Sequence, residues 1–363
     1  MLIDAIFPHV LSVRPTQAQP SDDPAQLLAL LRTQGLPQAR AVQHLSGERD
    51  LNFLVTLDGS PDRFVLKLSD TLENPLALAL QNAALHHLTL KAPQLPVQRL
   101  QRWRDGADML ALPGPQGQRF ARLLTYLPGL PLHEAPSSAA QRGAIGAALA
   151  SLDRALQDFQ HPIVSNEALM WDLQRTAELR AWLPAIQDAT SRTWADTVFG
   201  LYLQQMQPVL ATLPQQFLHN DFNPYNLLVN PTQPDQVCGV LDFGDMLHGP
   251  RVFDVAVAAS YQCHALGQPR IEGLFEFMQG YQRANPLSLP ELRWLPLLAA
   301  VRCAITLCIT ERRAQTFPEN RAYILRNHTV ASAGLRALMA FGLPAAAERL
   351  LNLWPPQAGH PVP

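Results

Sequence analysis

The chain has 363 residues, of which 47% are hydrophobic, and its formal net charge at pH 7 is −2. That length allows two lobes or two domains, and the apolar content supports a large core and argues against general disorder. Because the charge is nearly balanced and no long basic or acidic run occurs, neither nucleic acid nor an anionic membrane is an expected partner.

The cysteines and the start of the chain carry no sign of secretion. None of the four cysteines forms a C-x-x-C motif, so buried, reduced thiols are expected rather than a disulfide framework or a zinc site; they are Cys238, Cys263, Cys303 and Cys308. Met1–Phe7 lacks a basic region and a long apolar core, and no run looks long enough to span a bilayer. The expectation is a cytoplasmic protein.

The first third of the chain predicts a small antiparallel sheet with two helices. Asp23 and Pro24 supply the cap and first position of a helix that Gly35 ends. Alternating apolar residues between turn sequences predict the strands. These are residues 39–45, 51–55, 63–68, 97–103, 109–112 and 119–127, with a helix at 73–90 after the third strand.

The rest of the chain is mainly helical in pattern. Apolar residues at helical spacing predict helical segments at 141–159, 166–183, 194–213, 252–261, 274–281, 292–310 and 322–341. A β-hairpin is predicted among them, because the apolar runs 226–229 and 237–241 bracket the turn formers 230–235.

The strongest functional signal lies between Phe217 and Asp254, in the sequence FLHNDFNPYNLLVNPTQPDQVCGVLDFGDMLHGPRVFD. His219, Asp221 and Asn226 form H-x-D-x-x-x-x-N, and a D-F-G sequence follows the predicted hairpin. The loop before the first strand and the end of the second strand lie at the same end of a hairpin. We therefore expect the polar groups of both motifs to lie close together.

These residue types suit phosphoryl transfer, in which catalysis is mostly positioning plus electrostatic stabilisation by metal ions. Asp221 can accept the proton of an attacking hydroxyl, and the oxygens of Asn226 and Asp242 can hold Mg²⁺, which prefers oxygen ligands. The motifs H-R-D-x-x-x-x-N and D-F-G together form the protein-kinase signature. Here Asn220 occupies the position of the Arg, which argues against an ordinary protein kinase.

His219 and Asp254 complete the predicted catalytic region. Because Asp221 already fills the role of the base, we expect His219 to brace the catalytic loop through hydrogen bonds. Asp254 lies within the predicted helix 252–261, and we expect it to bond back to the same loop.

These motifs resemble those of the aminoglycoside phosphotransferase and choline kinase superfamily of small-molecule kinases. The likeness is greatest to the hydroxylysine kinase branch, with homoserine kinases nearby. It rests on HNDFNPYNLLV, GVLDFGD and VFDVAVAASY, and also on Gly47–Phe53 and Trp171–Leu173. The likeness extends over about Pro24 to Leu338, which is nearly the whole chain.

The resemblance implies an α+β, bilobal, protein-kinase-like fold, with a small antiparallel lobe and a larger, mainly helical lobe. We place an N-terminal extension at 1–23, the nucleotide-binding lobe at 24–125, the catalytic and acceptor-binding lobe at 126–345, and a tail at 346–363. The implied phosphoryl donor is ATP or GTP, bound with Mg²⁺ in the cleft between the lobes.

The resemblance also suggests which residues would hold the nucleotide. Lys67 would contact the α and β phosphates, and Gly47 or Arg49 would cover them. Glu73 or Gln81 would pair with Lys67 from the following helix. The backbone of the interlobe hinge would contact the purine edge, at Thr125, Tyr126 and Leu127.

The acceptor pocket is less specified by the sequence. Asp172, beside Trp171, would hold a substrate ammonium, although a helix-capping Asp is the commoner outcome. Asp245 would support the metal or the acceptor. Arginines of the later helices would bind a substrate carboxylate, although surface arginines are common; they are Arg302, Arg312 and Arg313.

The resulting hypothesis is transfer of the γ-phosphate to a hydroxyl of a small amino alcohol or hydroxy amino acid, with 5-hydroxylysine as first choice. Homoserine, choline, ethanolamine and aminoglycosides remain open as acceptors. The segment from Asp242 to Asp254 is too short for an activation loop that docks a protein. A catalytically silent binding module is the rival hypothesis, although all the catalytic residue types are present. The sequence does not specify the oligomeric state.

Overall fold

The structure is a computed structural model that describes residues 23–45, 50–70, 73–114, 117–163 and 169–355. Gly47 and Arg49, the predicted phosphate cover, lie outside these ranges. So do residues 1–22 of the predicted extension and residues 356–363 of the predicted tail.

The small lobe is built on an antiparallel sheet of six strands. Their order is β1-β2-β3-β6-β4, and β5 pairs with β6. The strands are β1 (Ala39–Leu45), β2 (Leu51–Leu57), β3 (Arg63–Leu68), β4 (Leu100–Gln101), β5 (Leu110–Gly114) and β6 (Gly117–Thr125). The strand predicted at 97–103 is shorter than expected, because Val97 leaves the sheet and forms a parallel bridge with Val240 of the larger lobe.

Two helices flank this sheet. Helix α1 (Pro24–Gln34) begins where the Asp23 carboxylate accepts the backbone N–H of Ala25 at 3.1 Å, which satisfies a donor that helix starts leave free. It packs through Leu27 and Leu31 on one face of the sheet, in a separate small core. Helix α2 (Pro75–Lys91) joins the main core on the other side, through buried residues such as Leu85.

The large lobe is mainly helical, as predicted. Its α-helices are α3 (Ala139–Leu156), α4 (Thr176–Leu179), α5 (Ala189–Leu201), α6 (Arg251–Ser260), α7 (Glu272–Ala284), α8 (Leu289–Thr316), α9 (Arg321–Ile324), α10 (His328–Phe341) and α11 (Leu343–Leu353). The helix predicted at 194–213 is divided. Helix α5 ends at Leu201, and a π-helical turn at 202–206 and a 3₁₀ helix at 207–212 follow it.

Short strands complete the large lobe. They are β7 (Leu130–Pro131), β8 (Gln215–Leu218), β9 (Leu227–Asn230), β10 (Gln233–Val240), β11 (Leu247–Pro250), β12 (His264–Ala265) and β13 (Gln268–Pro269). Strands β9 and β10 form the predicted hairpin, and β7 adds to it beside β9. Strand β8 pairs with β11, so the chain before the catalytic loop is tied to the chain after D-F-G.

Helix α8 is the centre of the large lobe. By length and composition it could cross a membrane, so the expectation that no run has that length is wrong. However, 89% of its most apolar window is buried inside the protein, as in the core helix of a globular lobe. Its start is held by Glu291, which is fully buried and forms an ion pair with Arg251 at 2.7 Å.

Helices α3 and α7 cross with almost no space between their backbones. A Cβ atom built on Gly146 would lie 2.1 Å from the carbonyl oxygen of Phe277, and one on Gly280 would lie 1.8 Å from that of Gly143. Only glycine permits this approach, because the obstacle in each case is backbone that cannot rotate away.

We expect Gly280→Ala to destabilise the protein by about 1–3 kcal/mol, the usual cost of overpacking a close contact. Gly200→Ala is the matched control, since within the described part of the chain a Cβ at that position would meet no atom within 4 Å beyond its chain neighbours and its own helix backbone. It should stabilise by about 0.5–1 kcal/mol through helix propensity. Urea unfolding of both variants measures the difference, and equal effects would contradict the close crossing.

Candidate active site

One cleft, of about 910 Å³ including open solvent, receives side chains from both lobes. The small lobe contributes mainly charged and amide groups, from Asp50, Asn52, Lys67, Glu73, Gln81 and Arg122. The large lobe contributes the catalytic motifs and an opposite wall formed by Trp171, Tyr261, Arg302, Arg326 and Asn327. The cleft therefore brings together both predicted motifs and the predicted phosphate lysine.

The Asp221 carboxylate is held in a fixed orientation within this cleft. Asn223 donates its side-chain N–H to Asp221 Oδ1 at 2.8 Å, and Asn226 donates to Asp221 Oδ2 at 2.6 Å. The side chain remains 25% exposed, so it can still reach a ligand. Asn223 was missed by the sequence reasoning, although it stands between the two motif residues that were identified.

His219 is fully buried beneath the loop and has no exposure to the cleft. Its Nδ1 accepts the backbone N–H of Asp221 at 3.2 Å, and its Nε2 lies 3.0 Å from the carbonyl oxygen of Leu241, to which it donates. These bonds join the catalytic loop to the end of β10. The geometry agrees with the predicted bracing role.

Asp254 of α6 holds the same loop from below. Its two carboxylate oxygens accept the backbone N–H groups of His219 at 2.7 Å and Asn220 at 2.8 Å, as the sequence reasoning expected. Asn220 has a positive φ of 63°, a conformation that asparagine tolerates better than most residues. Asn220, beside Asp221, is therefore a buried residue whose type suits the backbone conformation of the loop.

Lys67 has carboxylate partners that the sequence reasoning did not name for it. Its Nζ lies 3.4 Å from Asp50 Oδ2 and 3.8 Å from Asp242 Oδ1. Gln81 instead accepts a hydrogen bond from Arg122 at 2.8 Å. Gln81 is therefore engaged by Arg122, while Asp50, which immediately precedes β2, approaches Lys67. A pairing of Lys67 with Glu73, which lines the same cleft, stays a prediction.

Arg122 is a second cation of the small lobe that the sequence reasoning missed. It lies opposite Lys67 in the pairing of β3 and β6 and is only 3% exposed. Burial lowers its pKa, while the nearby Asp50 and Asp242 carboxylates oppose that shift. The signal was present in the sequence as one charged residue inside the apolar run F-A-R-L-L.

Asn226 and Asp242 present a donor set that fits Mg²⁺. Asn226 uses its amide nitrogen to hold Asp221, which leaves the amide oxygen for a metal ion. The attraction of Lys67 lowers the pKa of Asp242, so that carboxylate is ionised at neutral pH. Among the described residues no group of three or more His, Cys, Asp and Glu side chains forms a metal site. Water and phosphate oxygens would complete the shell, as is usual for Mg²⁺.

Comparison with known proteins shows the family to which this chain belongs. Residues 40–287 match the phosphotransferase enzyme family, APH. The chain belongs to that family. It is accordingly a small-molecule kinase, a phosphotransferase with a hydroxyl group as acceptor.

Several curated relatives are similar to this phosphotransferase. Hydroxylysine kinase of Mus musculus is 28% identical over 352 residues, which cover 91% of this chain and 93% of that protein. Hydroxylysine kinase of Bos taurus is 29% identical over 329 residues, which cover 85% of this chain and 86% of that protein. Homoserine kinase of Bradyrhizobium sp. strain BTAi1 is 30% identical over 218 residues, which cover 56% of this chain and 60% of that protein.

Solved structures confirm the predicted bilobal kinase-like fold. A microcompartment-associated aminopropanol kinase superposes with a TM-score of 0.61 at 18% identity, over 86% of this chain and 94% of its own. An amicoumacin kinase in complex with AMP-PNP, Ca²⁺ and its ligand has a TM-score of 0.58 at 16% identity, over 81% of this chain and 88% of its own.

Two backbone N–H groups of the predicted hinge already form hydrogen bonds within the protein. The N–H of Thr125 donates to the carbonyl oxygen of Arg99, and the N–H of Tyr126 donates to the carbonyl oxygen of Arg63, each at 2.9 Å. These two N–H groups are therefore engaged within the small lobe. Of the three predicted hinge residues, Leu127 keeps an N–H group outside these bonds, and the carbonyl oxygen of Tyr126 also lies outside them.

The predicted acceptor residues separate into two groups. Trp171 and Asp245 line the cleft. The Asp172 carboxylate instead caps a short helical turn by accepting the N–H of Gln174 at 2.8 Å. Capping is the commoner role of an Asp at such a position. Arg313 is buried and is not among the cleft-lining residues, whereas Arg302 is one of them.

A second carboxylate, Asp153 of α3, supports Asp254 from within the core. Asp153 is fully buried, accepts the Tyr281 hydroxyl at 2.7 Å, and lies within hydrogen-bonding reach of Asp254. Burial raises the pKa of both carboxyls, and that of Asp153 rises further because Asp254 is close. Since Asp254 already accepts two N–H groups, the shared proton belongs on Asp153, which donates it to Asp254.

We expect Asp153→Asn to be at least as stable as the wild type at pH 7, because the amide supplies the same donor without a titratable proton. The raised pKa means that wild-type stability falls as the pH rises above the ordinary carboxyl pKa of 3.8. The advantage of Asp153→Asn should therefore grow from about pH 4 to about pH 7. Urea unfolding at several pH values measures it.

The control is Asp153→Ala, which removes the partner of the Tyr281 hydroxyl and one donor to Asp254. It should lose about 1–3 kcal/mol of stability. If the Asn variant is destabilised as much as the Ala variant at every pH, the shared proton is not on Asp153.

Proposed function

We propose that this phosphotransferase transfers the γ-phosphate of ATP or GTP, with Mg²⁺, to the hydroxyl of 5-hydroxylysine. The proposal is carried by one observation, the placement of an oriented Asp221 carboxylate in the same cleft as the ion pair between Lys67 and Asp242. An acceptor hydroxyl and a triphosphate can meet between those groups.

The proposed roles follow from the geometry. Asp221 accepts the proton of the acceptor hydroxyl, whose oxygen forms a bond to the γ-phosphorus as the bond to the β-phosphate bridging oxygen breaks. A nucleoside diphosphate and a phosphate ester leave. Lys67 holds the phosphates, and Asn226 and Asp242 would hold Mg²⁺, which supplies positive charge to the phosphate oxygens.

The choice of acceptor is supported by how far each relative extends along the chain. The similarity to hydroxylysine kinase of Mus musculus covers both lobes, at 91% of the chain. The similarity to homoserine kinase of Bradyrhizobium covers 56%. Acceptor-binding groups come from helices throughout the large lobe, so agreement over the full length favours hydroxylysine, and homoserine is the second candidate.

The acceptor is tested by measuring the consumption of ATP and of GTP with Mg²⁺ and a panel of acceptors. The panel contains 5-hydroxylysine, homoserine, choline, ethanolamine, 1-amino-2-propanol and an aminoglycoside. We expect the highest kcat/KM with 5-hydroxylysine. A higher value with any other acceptor would overturn the choice of substrate, and the two donors decide the nucleotide.

The role of Asp221 is tested by Asp221→Asn, which keeps the shape but cannot take a proton. We expect kcat to fall by about 10²–10⁴-fold, the usual contribution of a general base, with nucleotide affinity little changed. Asp235→Asn, on the exposed part of β10, is the matched control and should retain full activity. Unchanged turnover in Asp221→Asn would exclude that residue as the base and would favour a different site for the chemistry.

A further inference from the structure

We propose that Arg302 binds a carboxylate of the acceptor, so that the enzyme selects free hydroxy amino acids over amino alcohols. This inference rests on the proposed function, since it concerns the same acceptor site. It goes further by naming the group that the acceptor must carry and the residue that recognises it.

Arg302 has an unusual position for an arginine. It projects from the core helix α8 into the cleft, where it is 1% exposed. Its guanidinium lies over the ring of Trp171, with 4.9 Å from Cζ to the ring centroid. A buried cation costs free energy unless charged or polar partners compensate it.

The partners within the protein use only part of the guanidinium. The Tyr261 hydroxyl lies within hydrogen-bonding reach of the guanidinium. Nη1 donates to the carbonyl oxygen of Trp171 at 2.8 Å, and Nη2 lies 3.5 Å from Asp221 Oδ1. The second distance exceeds that of a charge-assisted hydrogen bond, which is about 2.7–2.9 Å. Across the described residues no acceptor reaches Nε, although this atom is buried. A planar guanidinium whose Nε–H is unused and whose Nη2 is only weakly paired has the form that binds a carboxylate through two hydrogen bonds.

The location of Arg302 relative to Asp221 assigns that carboxylate to the acceptor. The phosphates belong on the side of Asp221 that holds Lys67 and Asp242. An acceptor with its hydroxyl at Asp221 must extend to the opposite wall, which contains Arg302, Trp171, Tyr261, Arg326 and Asn327. This wall carries two guanidinium groups, the second being that of Arg326, which lies 5.1 Å from the Tyr225 ring.

The chemistry of this wall separates the possible acceptors. A hydroxy amino acid offers a carboxylate several bonds from its hydroxyl, so one molecule can contact Asp221 and Arg302 together. Choline, ethanolamine, 1-amino-2-propanol and aminoglycosides lack a carboxylate and would leave Arg302 facing an uncharged or cationic ligand. Sites built to bond a polar group discriminate strongly against ligands that lack it.

The test uses two matched pairs of acceptors that differ only in the carboxylate. These are 5-hydroxylysine with 1,5-diaminopentan-2-ol, and homoserine with 3-aminopropan-1-ol. For the wild type we expect kcat/KM to favour the amino acid of the accepted pair by roughly 10²-fold or more. Equal use of both members of that pair would overturn the inference.

The variant Arg302→Gln links that preference to the residue. We expect the ratio of kcat/KM between amino acid and decarboxylated acceptor to fall by about 30-fold or more, mainly through KM, as when one partner of a buried charged hydrogen bond is removed. Arg302→Lys should restore part of the ratio. Arg293→Gln, exposed on the same helix, is the matched control and should leave the ratio unchanged.

A purely structural role gives a different result. If Arg302 only positions Asp221, Arg302→Gln will lower kcat for both members of a pair in parallel, the ratio will stay constant, and the inference fails. If homoserine replaces 5-hydroxylysine as the preferred acceptor but the carboxylate ratio behaves as expected, the proposed substrate is wrong and the inference stands. Should no acceptor turn over, calorimetric binding of the same four compounds decides, since carboxylate-independent or undetectable binding would overturn it.

Discussion

The geometry of the active site depends on one buried carboxylate. Asp254 accepts the backbone N–H groups of His219 and Asn220, and it does so from a helix whose residues 252–260 are all buried. The groups that Asp254 binds here are backbone N–H groups. The contact therefore fixes the path of the catalytic loop itself and does not depend on the side chains that the loop carries. Asp153 and Tyr281 extend the contact into the helices beneath. The orientation of Asp221 thus follows from the packing of the large lobe.

The cleft itself is organised by alternating charge. Lys67 lies between the carboxylates of Asp50 and Asp242, and Arg122 lies behind them in the sheet. On the opposite wall Arg302 faces Asp221. Each cation is close to an acid without being fully paired by it. Ligand anions can therefore enter between them, phosphates on one side and, by the inference above, a carboxylate on the other.

Local patterns predicted the elements and the catalytic motifs because both are encoded over short distances. The β9–β10 hairpin, the Asp23 cap and the bond from Asp254 to the catalytic loop all agree with expectation. The pairing of Lys67 with Asp50 was missed because it depends on strand register. Lys67 lies opposite Asn52, and Asp50 stands two residues earlier, just before β2 begins, where its carboxylate lies 3.4 Å from Lys67 Nζ. Reasoning from the following helix could not reveal that pairing.

The sequence by itself determined the chemistry of this protein, since the spacing of Asp221, Asn226 and Asp242 defines which groups can meet at one end of a hairpin. Tertiary structure alone decided which of the candidate arginines lines the cleft. Arg302 and Arg313 lie eleven residues apart on one helix, a separation of about 16 Å along its axis. Both are buried, and both were equally plausible from pattern. Only the position of that helix beside Asp221 distinguishes them, because it results from packing between elements far apart in the chain.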